Sequence, residues 1–99
     1  MERFSILQDK QDFKNRKCYI CGSRLLPNIH EVYYGSSRRE LSIKYGCCVC
    51  LCSYHHNGSN ESVHHNRDLD LKLKREMQVA FEREYPEIDF RAVFRKSYI

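Results

Sequence analysis

Apolar residues recur every three or four positions from Asn66 or Asp68 onward: Leu69, Leu73, Met77, Ala80 and Phe81, with Lys, Arg and Glu between them. That period predicts an amphipathic helix running to about Glu84 and stopped at Tyr85-Pro86. A second short helix, beginning near Pro86, places Phe90, Val93 and Phe94 on one face. Upstream the pattern changes. Residues 29–34, Ile-His-Glu-Val-Tyr-Tyr, are β-branched and aromatic and read as a strand. Cys47 to Cys52 reads as a buried strand leading into His55-His56, followed by the turn Asn57-Gly58-Ser59-Asn60. Between the strands, Gly35 to Arg39 reads as a loop, and Leu41 to Gly46 as a short helical turn closed by Gly46. The first seventeen residues have scattered apolar positions (Phe4, Ile6, Leu7, Phe13) that fit either a short strand or a turn of helix. The fold class is therefore α+β in one domain. It has an N-terminal extension (1–17), a core (18–65) and a C-terminal helical pair (66–99).

Composition narrows the class. With 41% hydrophobic and 12% aromatic residues the 99-residue chain is not disordered, yet its core must be modest. Charged residues make up 30% of the chain, which excludes a membrane span. The Met-Glu-Arg-Phe-Ser-Ile-Leu-Gln-Asp start lacks the apolar core of a signal peptide, so a cytoplasmic protein without membrane contact is expected. The net charge of +4 is dispersed, which permits nucleic-acid contact without identifying it.

Six Cys and five His in so short a chain change the picture. In a reducing compartment this surplus points to structural Zn2+, which also staples a small core. Cys18-Tyr-Ile-Cys21-Gly22 is a knuckle whose thiolates supply one ligand pair. Cys52-Ser-Tyr-His55 has the spacing for the second pair. Cys47-Cys-Val-Cys50 has it too, but an extended strand turns Cys47 and Cys50 to opposite faces. The favoured set is therefore Cys18, Cys21, Cys52 and His55, with Cys47 or Cys50 as possible replacements. Cys48 and Cys50 are expected to share a face with Cys52 and to act as small apolar residues. Three further histidine positions remain, His30, His56 and His64/His65, and zinc in the first site would bring His56 within reach of His30 and the adjacent carboxylate Glu31. A divalent ion there polarises a phosphate while an adjacent base activates water.

Cys18-Tyr-Ile-Cys21, Asn28-Ile-His30-Glu31-Val-Tyr-Tyr-Gly35, Leu51-Cys52-Ser-Tyr-His55-His56 and Val63-His64 together resemble the HNH nuclease superfamily, and in particular its small phage and prophage members. The resemblance covers about residues 18–65, and the following helix is similar too. It implies a treble-clef (ββα-metal) fold. His30 and Glu31 become the implied catalytic pair, with His56 and His64 as further ligands for Mg2+, Mn2+, Ni2+ or a second Zn2+. Glu31 stands where the family's general-base histidine usually stands, and Cys47 at about the position of its middle asparagine. The expected activity is metal-dependent DNA nicking or cleavage, or DNA binding derived from it. Arg38 and Arg39 read either as a solvated loop or as phosphate contacts, helped by Lys44 and by stacking on Tyr33 or Tyr34. The alternative expectation is an inactive zinc-stapled interaction protein, such as an anti-CRISPR that binds a host defence nuclease.

Overall fold

The longest apolar stripe becomes the longest helix. In the computed structural model, which describes residues 2–99, the elements in chain order are α1 (Lys10–Lys14), β1 (Asn28–Glu31), α2 (Arg38–Tyr45), β2 (Cys48–Leu51), α3 (Ser53–His56), α4 (Arg67–Glu84) and α5 (Phe90–Phe94). This is an α+β architecture. No helix among the described residues is long and apolar enough to cross a membrane.

β1 and β2 form an antiparallel pair, with His30 opposite Val49 and Glu31 opposite Cys48. Alternation along β2 gives the sheet two buried faces. Cys47, Val49 and Leu51 join the main core, whereas Cys48 and Cys50 pack with Phe13, Ile29 and Ile43. The N-terminal segment supplies both of the forms its sequence allowed: Ser5 bridges Cys47 in strand fashion, and α1 is a helix capped by the Asp9 side chain.

Several boundaries differ from the sequence reading. The first strand ends at Glu31 instead of Tyr34, because the Tyr33 backbone is diverted: its N–H donates to Ser42 Oγ (3.1 Å), and that hydroxyl donates back to the Tyr33 carbonyl (2.8 Å). Arg38 and Arg39 are not loop residues but the first turn of α2, which begins after Ser37 with no side-chain cap to announce it. Gly46 closes that helix in the left-handed region, as expected. Cys52 leaves the Cys48–Cys50 face, since the chain turns at Cys52 into α3 and the alternation stops. The last helix starts at Phe90, capped by Asp89, rather than near Pro86.

Helix α4 starts where Asn66 accepts the Leu69 N–H (3.0 Å), with Asp68 and Asp70 placed favourably in its first turn. Its stripe of Leu73, Met77, Ala80 and Phe81 is buried, and Leu69 packs against its edge. Glu76 departs from the expected solvent face: it is half-buried and accepts a hydrogen bond from the Tyr19 hydroxyl (3.1 Å). An aromatic cluster closes the core. The Phe81 ring meets Tyr85 at 5.0 Å, Phe90 at 5.3 Å and Tyr45 at 5.4 Å, mostly edge to face. Tyr33 packs on Phe94 at 4.5 Å and donates its hydroxyl to the Lys74 carbonyl (2.6 Å), which ties the segment after β1 to α4.

Phe81 is fully buried. Phe81→Ala should therefore destabilise the fold by about 3 to 5 kcal/mol in urea unfolding, against little change for Arg83→Ala on the exposed face. An unchanged denaturation midpoint in Phe81→Ala would remove this helix from the core.

Candidate metal centre

Two turns bring the first ligand set together. After Cys18 the chain folds back, with the Gly22 N–H donating to the Cys18 carbonyl (2.8 Å) and Gly22 at φ 79°. At the end of β2, the N–H groups of His55 and His56 both donate to the Cys52 carbonyl (3.1 and 2.9 Å), winding the first turn of α3. Cys52 and His55 therefore lie three residues apart on one helical turn and face the knuckle. The ligand atoms of Cys18, Cys21, Cys52 and His55 lie within 4.8 Å of one another.

The spacings suit a tetrahedral ion. Zn–S bonds of about 2.3 Å and Zn–N bonds of about 2.0 to 2.1 Å imply ligand–ligand edges of about 3.8 Å for S···S and about 3.6 Å for S···N. Here Cys21 Sγ lies 3.7 Å from Cys52 Sγ, while His55 Nδ1 lies 3.5 Å from Cys52 Sγ and 3.7 Å from Cys18 Sγ. The cluster can hold a metal ion and is compatible with zinc. The local field lowers one thiol of the cluster, Cys18, whereas Cys21 is raised, chiefly by burial. Burial pushes the Cys18 thiol up, but backbone N–H groups of Cys52, Cys21 and Ile20 outweigh it, and its pKa falls below the ordinary thiol value. Cys48, buried in the sheet and near Glu31, is pushed up to about 12. Cys47 and Cys50 are raised as well, again chiefly by burial. Cys48 and Cys50 pack as buried apolar residues, as expected, Cys47 packs in the main core, and neither Cys47 nor Cys50 joins the four-residue cluster.

The second set also converges. Its ligand atoms, from His30, His56 and His64, lie within 4.8 Å of one another, and His65 is not among them. The chain between His56 and His64, eight positions apart, folds back through bonds from Val63 N–H to the His55 carbonyl (2.8 Å) and from His64 N–H to the His56 carbonyl (3.3 Å). Gly58 makes this possible, because a Cβ there would lie 2.7 Å from the Ser53 carbonyl oxygen. His56 Nε2 and His64 Nε2 are 3.3 Å apart, close to the N···N edge of about 3.3 Å for a tetrahedral ion. His30 is only 3% exposed, and its Nε2 is buried with no hydrogen-bond partner. Burial, reinforced by His56 and His64, pushes His30 down to about 3, so the ring is neutral at physiological pH. Burial and His64 lower His56 too, against the opposing pull of Glu31.

A cavity of about 120 Å3 joins His30, His56 and His64 to Glu31, Tyr34 and Arg39. Glu31 is clamped: Arg3 Nε donates to its Oε2 (3.2 Å), and Arg39 Nε lies 3.7 Å from its Oε1. Of the three cations expected at the site, Arg39 borders the cavity, whereas Arg38 and Lys44 do not. Tyr34 borders it as well, whereas Tyr33 is buried in the aromatic core. Two participants were not anticipated. Arg3 lies 28 residues from Glu31, with no local pattern linking them. Asp70 accepts from the Tyr34 hydroxyl (3.0 Å) and from Lys74 (2.9 Å), anchoring the aromatic wall, and its Oδ1 is buried without a partner. The i, i+4 spacing of Asp70 and Lys74 was the available signal.

No protein-family model, curated protein or solved structure matches this chain. The functional reading therefore rests on the chemistry of the two clusters.

Cys18→Ser should abolish the binding of one Zn2+ per chain and largely unfold the protein, since metal binding and folding are coupled in small zinc domains. Elemental analysis and circular dichroism of untagged protein check both effects. Folded wild-type protein free of zinc would refute the assignment.

Proposed function

We propose that the chain is an HNH-like, metal-dependent DNA endonuclease or nickase on a treble-clef scaffold. The order of elements supports the scaffold: a Cys18–Cys21 knuckle, the β1–β2 pair, then Cys52 and His55 on the opening turn of α3. The observation that carries the activity is His30, a buried imidazole whose unpartnered Nε2 shares a cavity with His56 and His64. Buried polar atoms almost always find a partner, and a divalent ion held by the three imidazoles would supply it.

Such an ion would polarise a scissile phosphate and stabilise the leaving oxygen. The chain's own groups do the rest. Arg39, 60% exposed at its side chain, stands at the cavity edge where a phosphate oxygen approaches. Arg3 engages Glu31 Oε2, which leaves Oε1, with its longer ion pair, as the oxygen to take a proton from water. Tyr34, fixed by Asp70 and lying under the Lys74 ammonium at 4.3 Å from the ring centroid, forms a firm wall beside His64.

A second reading, a zinc-stapled interaction protein, draws on one feature: Leu25 and Leu26, beside the knuckle, are 69% and 67% exposed. A single experiment separates the two. Supercoiled plasmid incubated with Mg2+, Mn2+ or Ni2+ should be nicked by wild type. His30→Ala should lose at least about a hundredfold of that rate, while keeping its structural zinc and its melting temperature. Glu31→Gln should slow nicking without loss of metal binding. Equal rates in wild type and His30→Ala would end the nuclease reading and favour the interaction protein.

A further inference from the structure

The N-terminal segment, which carries none of the metal ligands, walls a groove of about 680 Å3. Arg3, Lys10, Lys14 and Arg16 line it together with Phe4 and Phe13, against the single carboxylate Glu2. Ion pairing among the described residues leaves three of these cations available: Arg3 is paired with Glu31, whereas Lys10, Lys14 and Arg16 have no acidic partner. Their positions are set by the fold. Lys10 and Lys14 lie at the two ends of α1, whose start is fixed by Asp9 accepting from the N–H groups of Gln11 and Asp12. Arg16 lies 6.0 Å from the Phe13 ring centroid. Phe4 seats against Gly46, where an added Cβ would lie 2.3 Å from its ring, yet the residue stays 42% exposed.

The groove is also continuous with the candidate site. Arg3, Arg16 and Ile29 line a second recess of about 490 Å3 that reaches Glu31, and Ile29 and Glu31 in turn line the histidine cavity. A basic path thus runs from α1 to His30.

We propose that this path binds a single strand of nucleic acid, its phosphates neutralised by Lys10, Lys14 and Arg16 and a base stacked on Phe4. Unpaired cations beside an exposed aromatic ring are the recurring combination for single-strand binding. The exposed Phe4 side chain can stack only on a base that is not held in a duplex, so the groove fits one strand better than two. The inference rests on the nuclease reading for where the strand leads, but not for its binding.

The test is fluorescence anisotropy of the full chain with its structural zinc, run in EDTA-free buffer without added divalent metal. The probes are labelled oligo-dT, its RNA counterpart and a duplex of equal length, each titrated over a range of KCl. Wild type should bind the single strands more tightly than the duplex. The Lys10→Gln/Lys14→Gln/Arg16→Gln variant should weaken single-strand binding about tenfold or more. It should also reduce the slope of log K against log salt by about 2, since each phosphate contact on a single strand contributes about 0.7. A control with Lys72→Gln, Arg83→Gln and Arg91→Gln, equal in charge but away from the groove, should leave the slope unchanged. Equal losses in both variants, an unchanged slope in the groove variant, tighter binding of the duplex or no wild-type binding would each overturn the proposal. The DNA and RNA arms show which strand is preferred. Nicking is scored separately, so binding that depends on the groove without any nicking fails the nuclease reading alone. Nicking with groove-independent binding fails the groove alone.

Discussion

The turn at Cys52, where β2 gives way to α3, is the constraint on which both candidate metal clusters depend. Successive helical residues are rotated by about 100°, so the adjacent His55 and His56 leave one turn in different directions. His55 goes to the cysteine cluster with Cys18, Cys21 and Cys52; His56 goes to the cluster with His30 and His64. A four-residue helix has too few hydrogen bonds to hold this geometry alone. Thiolate and imidazole ligation of its first turn would hold it, and the fold-back of Val63 and His64 onto the His55 and His56 carbonyls secures its other side. The two clusters are therefore coupled through one short turn of chain.

The histidine cluster is organised against ordinary stability. His30 Nε2 is buried without a protein partner, and an imidazole nitrogen left with none at all would cost about 1 to 3 kcal/mol. Burial also keeps the ring neutral, the form that offers a lone pair to a metal. Nearby, the chain places a carboxylate between two guanidinium groups, so Glu31 is held in one orientation at the cavity wall. The arrangement has little value as packing, and a clear one as a set of fixed ligands and charges.

Much of this was legible in the sequence because it depends on short-range spacing. The stripe of α4, the Cys18–Cys21 pair and the Cys52–His55 pair each lie within one or two turns of chain, where periodicity and ligand spacing report directly on geometry. The His30, His56 and His64 grouping was legible through a family resemblance, and the ligand atoms do converge. What spacing could not show was decided by distant contacts. Ser42 captures the Tyr33 backbone and cuts the first strand short, and that pairing has no local signature. Helix α2 begins without a side-chain cap, so its first turn read as loop. The clamp of Arg3 on Glu31 joins two segments that only the folded chain brings together.

The N-terminal segment shows why those distant contacts matter. The Gln8 side chain accepts the Cys50 N–H (2.8 Å) and donates to the Lys17 carbonyl (2.7 Å), so one amide joins β2 to the residue just before the knuckle. The Ile6 N–H donates to the Gly46 carbonyl (2.9 Å), and Ser5 bridges Cys47, which extends the same seam along the sheet. These bonds satisfy backbone groups that would otherwise be left open on the edge of a two-stranded sheet. They also register Arg3, Lys10, Lys14 and Arg16 against Glu31 and His30, because β1 and β2 carry both sets of neighbours. A segment that reads as a polar extension is thus bonded along the sheet edge, and its backbone fixes where Arg3, Lys10, Lys14 and Arg16 leave the chain.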